Sequence, residues 1–552
     1  MPFGARGSDM RPIVDVAADL GLGEDDLDLY GRSKAKLTAE ALERLGQRPQ
    51  GDLVLVTGMT PTTAGEGKTT TAIGLTQALR QSGANAVVAL REPSMGPVFG
   101  IKGGGTGGGG SQVLPADDIN LHFTGDLHAV TAANNLLAAA IDNSLFHGNA
   151  LSLDARRITW RRCLDMNDRA LRGAVIGMGG TTDGVPREEA FDITPASEVM
   201  AILSVASDLD DLHRRLGDII VGYTAATPIQ PITCRDLQVD SAMTVLLKDA
   251  IRPNLVQMGE GGPAFVHGGP FANIALGCNS ITATRAALAC ADITVTEAGF
   301  GSDLGAEKFF NVVSRFGGFE PQAAVIVATA RAIKRHGGRP ARELEVEDLA
   351  ALEAGLPNLD AHIDNMEQHG VIPVVAVNQF PSDTQAELNA VLAHCRARGV
   401  RAAVANPYGG GGEACLDLAV QVREALDGDR PSFQRLYELE SPLRDKIETV
   451  AREVYGAGSV SYLRRAELTL RRASRLGQDD WPVCIAKTQY SLSDDPGLLG
   501  RPQQHEFTVR DVRPSAGAGF VVIISGEIMT MPGLPRSPAA IHFDHTAETH
   551  TG

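Results

Sequence analysis

The chain has 552 residues, enough for two or three domains that each bury a core, and its 43% hydrophobic, 21% charged composition is that of a globular protein in water. A formal charge of −17 argues against nucleic acid or an anionic membrane as the main partner, so any anionic substrate has to be held by a local cluster of cations. Seven cysteines with no CxxC pair exclude a disulfide framework or a standard zinc motif, and no apolar run reaches the ~18 residues of a membrane span, which predicts a reduced, cytoplasmic setting.

The N-terminal stretch MPFGARGSDMRPIVDVA lacks the apolar core of a signal peptide. Beyond it, short β-branched runs alternate with amphipathic helical stretches. Buried strands are predicted at 52–57 (DLVLVT), 86–90, 293–296, 324–328 and 372–377, with further strands at 151–160 and 520–525 (FVVIIS). Continuous apolar strands separated by helices predict an α/β fold of parallel sheets with helices on both faces. Near 355–357 acidic helical sequence gives way to LPNLDAHIDNM. That change predicts a larger unit, 1–355, itself open to subdivision, and a smaller α/β unit, 356–552.

The strongest local signal is TGMTPTTAGEGKTTTAIGLTQAL, residues 57–79. An apolar strand, a Gly/Pro/Thr loop and a helix opening at Lys68 are the context a phosphate-binding loop requires, which makes this unit resemble a phosphate-loop NTPase domain. Thr62, Thr63, Ala64, Gly65, Glu66, Gly67, Lys68 and Thr69 are the candidate nucleotide-binding residues. Backbone amides would surround phosphate oxygens, Lys68 would reach the terminal phosphates, and the Thr69 hydroxyl would ligate Mg²⁺. Thr62 stands where the strict pattern has glycine.

Arg91 and Glu92 follow the second strand directly, and consecutive parallel strands in a right-handed unit end on the same side of the sheet. Arg91 is thus expected beside the phosphate loop, where it can neutralise a transferring phosphoryl group. Residues 103–110 hold seven glycines in eight positions, which reads either as a linker or as a backbone-lined substrate loop. In DDINLHFTGDLHAV, Thr124 or Gly125 is placed to cap a helix with Asp126 in its first turn. Asp126 is a candidate acid–base group, and His122, Asp126 and His128 offer a weaker metal-ligand reading. Arg331, Lys334, Arg335, His336 and Arg339 are expected at a helix C-terminus, where they complement its dipole or dock an anionic tail.

Taken together, TTAGEGKTTT (62–71), REPSMGPVFGIKGGG (91–105), DINLHFTGDLHAV (118–130), DMNDRALR (165–172), FDITPASEVMAIL (191–203), HGGPFANIALGCNS (267–280), EAGFGSDLGAEKFF (297–310), PVCIAKTQYSLSDDP (482–496) and SAGAGFVVIISGEIMTMPGLP (515–535) resemble the formate–tetrahydrofolate ligase family. The resemblance implies ATP and tetrahydrofolate as co-substrates of formate, a formyl phosphate intermediate, Mg²⁺, a monovalent cation as a further possibility, and a homotetramer. It implies catalytic roles for Lys68, Arg91 and Asp126, and places Phe380 and Tyr408 beside the pterin. Relatives usually carry tryptophan where Tyr408 stands, arginine at Gln379, histidine at Leu276 and cysteine at Ser314. Two other readings stay open at this point: a nucleotide-binding relative with impaired catalysis, and a phosphate-loop switch ATPase.

Overall fold

The structure, a computed structural model, describes residues 10–429 and 431–543; the first nine residues of the N-terminal stretch read above lie outside it. It is organised around one twelve-stranded, mostly parallel sheet. Eight of its strands position the site: β1 (Asp52–Gly58), β2 (Ala86–Leu90), β3 (Asn254–Met258), β4 (Pro263–Val266), β5 (Ile293–Glu297), β6 (Ala323–Ala328), β7 (Ile372–Asn378) and β8 (Arg401–Ala405). They lie in the order β3-β4-β2-β5-β1-β6-β7-β8, and all neighbours from β4 to β8 pair in parallel. All five residues of β2 and of β5 and all six of β6 are buried, as expected for strands covered on both faces.

The strand expected at 151–160 is not formed. Asn149 brackets Leu153 with two side-chain bonds, Asp154 accepts from Arg156 N at 3.0 Å, and a 3₁₀ turn occupies Ala155–Arg157. These local side-chain bonds satisfy the backbone in competition with a ladder, and a single bridge to Thr224 is all the pairing that survives.

Residues 355–357 are helical. They lie inside one helix, Leu349–Gln368, and β7 and β8, which follow it in the chain, extend the same sheet beyond β6. A second apolar core begins later, at Tyr437 and Leu443, beneath a sheet of β9 (Val483–Lys487), β10 (Asp511–Ser515) and β11 (Phe520–Ser525). In β9 the two-residue alternation sends Val483 and Ile485 into this second core and Cys484 and Ala486 into the main one.

Gly355 is in the helix because of what it touches. A Cβ there would overlap the Ile333 carbonyl, and one at Gly337 would overlap the Ala351 carbonyl, so the two glycines let neighbouring helices meet backbone to backbone. Alanine is favoured over glycine in a helix by about 1 kcal/mol. Gly355→Ala is nevertheless expected to lower stability by about 1–3 kcal/mol, the usual cost of overpacking. Chemical unfolding checks this, and a stabilised variant would disprove the close helix contact.

Candidate functional site

The loop after β1 runs from Met59 to Gly67, and helix α1 (Lys68–Gln81) opens without a side-chain cap, leaving its first amides free for an anion. Gly65 and Gly67 both take positive φ, and any side chain at Gly67 would overlap Asn378. Thr62 replaces the usual glycine for a visible reason. Its amide and hydroxyl both donate to Glu66 Oε1, at 2.6 and 2.7 Å. Glu66 is therefore turned inward, 1% exposed, and its other oxygen accepts from Thr329 and pairs with Arg331 at 3.5 Å. Asn378 at the end of β7 donates to the Glu66 carbonyl at 2.9 Å. The Glu66 side chain thus shapes the loop from inside.

The root of the loop is held at Thr60. Its N–H donates to His362 Nε2 at 2.8 Å, so that nitrogen carries no proton and Nδ1–H donates to Ser302 Oγ at 2.7 Å. The Thr60 carbonyl accepts from His336 Nε2 at 3.1 Å, while His336 Nδ1 accepts from Gly500 N at 3.2 Å. Asn358 donates to both the Thr60 hydroxyl and the Gly500 carbonyl. Sequence patterning gave no sign of this clamp, because the loop at Thr60 and the helices that carry His336, Asn358 and His362 lie far apart in the chain.

Lys68 makes no ion pair or hydrogen bond within the described residues. Burial pulls its ammonium below the ordinary lysine value, opposed by the nearby carboxylates of Glu66 and Glu297. Glu297, at the C-terminal end of β5, is the functional residue that sequence reasoning passed over. It is 3% exposed, accepts from the Thr69 hydroxyl at 2.7 Å and lies 3.5 Å from Arg91 Nε. Arg91 is one strand further from the loop than expected, because β5 inserts between β1 and β2, and Glu297 bridges that gap. A carboxylate ending an apolar strand, ITVTE, was the available signal. Thr69 and Glu297 together form an oxygen donor pair of the kind Mg²⁺ takes beside phosphates.

Asp126 opens helix α2 (Asp126–Phe146) after Gly125, as the sequence indicated. It is 2% exposed, and its Oδ2 accepts from Lys36 at 2.9 Å and Asn254 at 2.8 Å. Glu92 faces it; burial and the Asp126 charge push the Glu92 carboxyl well above its usual range. His267 completes the cluster, 4.0 Å from Asp126 and lowered to about 4 chiefly by burial. His122 and His128 are exposed, so the weaker metal reading fails on geometry: they do not join the buried Asp126.

Phe380 and Tyr408 leave the C-terminal ends of the adjacent strands β7 and β8, and Gln379 N donates to Ala405 O at 2.8 Å across that pair. Tyr408 is 69% exposed. The glycine run is no linker: Gly107–Gly108 pairs with Ser111–Leu114, Gly110 N donates to Tyr408 O at 2.9 Å, and a Cβ at Gly109 would overlap that same carbonyl. The expected basic dock at 331–339 is largely spent internally. Lys334 pairs with Glu387 at 2.7 Å out of solvent, Arg339 with Asp348 at 2.9 Å, and His336 is buried in the Thr60 clamp.

His336 and His362 are both lowered to about 4, mainly by burial. As pH falls below ~6.5 the unfolded chain takes up protons that the folded one refuses until pH ~4, so stability present at neutral pH drains away across that window. Each histidine contributes on the order of 3 kcal/mol to that loss. His362→Gln, which keeps an acceptor but does not titrate, is expected to flatten the fall of the unfolding midpoint between these pH values; an unchanged slope would refute the clamp's protonation state.

No helix among the described residues is long and apolar enough to cross a membrane. The family model described as formate–tetrahydrofolate ligase matches residues 4–551, essentially the whole chain, and the protein belongs to that family of ligases.

Proposed function

We propose that this chain joins formate to tetrahydrofolate through formyl phosphate, with Lys68 and Arg91 as the charges that make the first step possible. The formate carboxylate attacks the γ-phosphorus of ATP, the bond to the β-phosphate oxygen breaks, and ADP leaves. The amine at N10 of tetrahydrofolate then attacks the formyl carbon, and the tetrahedral oxyanion collapses with loss of phosphate. Formate is already ionised at neutral pH, so the first barrier is the approach of two anions. At ~4 Å and an effective dielectric of ~20, two unit charges repel by about 4 kcal/mol. Lys68 at the mouth of α1, without an ion pair among the described residues, is the observation that carries this reading.

Thr69 and Glu297 would hold Mg²⁺, which when bound supplies Lewis-acid neutralisation of the phosphate oxygens. Arg91, steadied by Glu297, would stay near the acyl phosphate and the oxyanion through both steps. The N10 proton has Asp126 as its candidate destination. Because Asp126 is sealed behind Lys36 and Asn254, that proton would pass by way of Glu92, which faces it. Phe380 and Tyr408 would flank the pterin, and a monovalent cation and a homotetramer belong to the same proposal through the family.

Sustained ADP release over many turnovers is expected only when formate and tetrahydrofolate are both present. Release that ignores them would favour a switch ATPase, and none at all an impaired relative. Lys68→Met should abolish 10-formyltetrahydrofolate synthesis, and undiminished synthesis would end the proposal. Tyr408→Trp should tighten tetrahydrofolate binding by ~0.5–1.5 kcal/mol through the larger stacking face, read by titration; unchanged or weaker binding removes Tyr408 from the slot.

A further inference from the structure

Arg331, in the first turn of the helix Ala330–His336, touches two parts of the site at once. Its Nε lies 3.5 Å from Glu66 Oε2, and its Nη2 donates to the carbonyl of Gly65, so it grips the phosphate loop at two consecutive residues. Its guanidinium carbon also sits 3.9 Å from the ring centroid of Phe380. That distance is well within the reach of a cation–π contact. Its side chain is only 20% exposed, so the geometry is built into the fold and does not come from a loose surface arm.

A second link runs alongside. Asn378, two residues before Phe380, donates to the Glu66 carbonyl at 2.9 Å. The segment that carries the aromatic ring is thus tied to the loop through both its backbone neighbour and its ring face. Glu66 is in turn bonded to Thr62, so the posture of the loop at Thr62 is transmitted to the carboxylate that Arg331 holds. Only a planar guanidinium can bond edgewise to the loop while lying flat on a ring; a lysine offers a point charge without the plane.

We infer that Arg331 is a positioning residue that couples the phosphate loop to the Phe380 ring, so that nucleotide and folate each tighten the binding of the other. With one ring face covered by Arg331, Phe380 keeps the opposite face and a single orientation for a stacked pterin. A phosphate chain in the loop fixes Gly65 and Glu66 and so fixes Arg331. Stacking on Phe380 works back through the same contacts, as thermodynamic reciprocity demands. The inference rests on the proposed placement of Phe380 in the folate slot.

The test is titration of tetrahydrofolate, without oxygen, into the full-length enzyme with and without a non-hydrolysable ATP analogue and Mg²⁺, together with the reverse titration. Wild type is expected to bind folate about five- to tenfold tighter when nucleotide is present, the lower end of ordinary allosteric coupling. Arg331→Met should bring that ratio to about one, and Arg331→Lys should recover nucleotide affinity without recovering the ratio. A wild-type ratio of one, or a full ratio in folded Arg331→Met, overturns the coupling. Should Arg331→Met not fold, a full ratio in Arg331→Lys does the same. Phe380→Ala separates the two levels: if folate affinity is untouched the slot assignment fails, whereas weakened folate with an intact ratio in the Arg331 variants removes the coupling alone.

Discussion

A carboxylate buried inside the glycine-rich loop after β1 is the constraint on which the rest of this candidate site depends. Glu66 is 1% exposed, and a buried charge costs several kcal/mol unless it is hydrogen-bonded and paired. The partners that offset that cost come from Thr62 within the loop, from Thr329 and Arg331 after β6, and through the backbone from Asn378 at the end of β7. The loop therefore closes only when β1, β6 and β7 stand side by side, and once closed its amides need little rearrangement to meet a phosphate. Because Arg331 answers Glu66, Lys68 is left free of an ion pair within the described residues.

The same division of labour explains how a chain of charge −17 builds a cationic site. Three carboxylates, Glu66, Glu297 and Asp303, lie close enough to Lys68 to act on it. Each is held by something else: Glu66 by Arg331, Glu297 by Thr69 and Arg91, and Asp303 by Lys487 at 2.6 Å. Lys487 ends β9, in the C-terminal part of the molecule, and Gly500 from the same part supports the Thr60 clamp through His336 and Asn358. The loop after β1 is thus supported by residues more than four hundred positions downstream, so segments near both ends of the chain meet at one place in the fold.

Period and punctuation made the scaffold readable. Apolar runs at 52–57, 86–90 and 520–525 became strands because nothing in them competes with a ladder, whereas 151–160 failed because Asp154 and Asn149 offer the backbone local partners. The placement of Lys68 and Thr69 at a helix start was legible since a strand, a glycine loop and a helix start leave few alternatives. Glu297 and the Thr60 clamp were not, because their meaning lies in which distant elements meet, and a single carboxylate or histidine carries no spacing to read. Gly355 beside Pro357 suggested punctuation, yet tertiary packing used the glycine for close contact and the helix absorbed the proline.

The departures from the family pattern sort by what surrounds them. At Tyr408 the backbone carbonyl takes Gly110 N, Gly109 lets that backbone approach, and Gly108 leaves room for the edge of the ring. The ring itself is 69% exposed, so replacing tryptophan by tyrosine alters what a ligand meets and leaves the fold alone. Leu276 and Ser314 are the opposite case. Leu276 is fully buried in the main core, where an apolar side chain spares the molecule a polar group in need of partners, and Ser314 is buried with its hydroxyl bonded to Phe310 O at 2.6 Å. Changes at these two positions are absorbed by packing, whereas Gln379 and Tyr408 keep solvent-accessible side chains at the rim of the proposed slot.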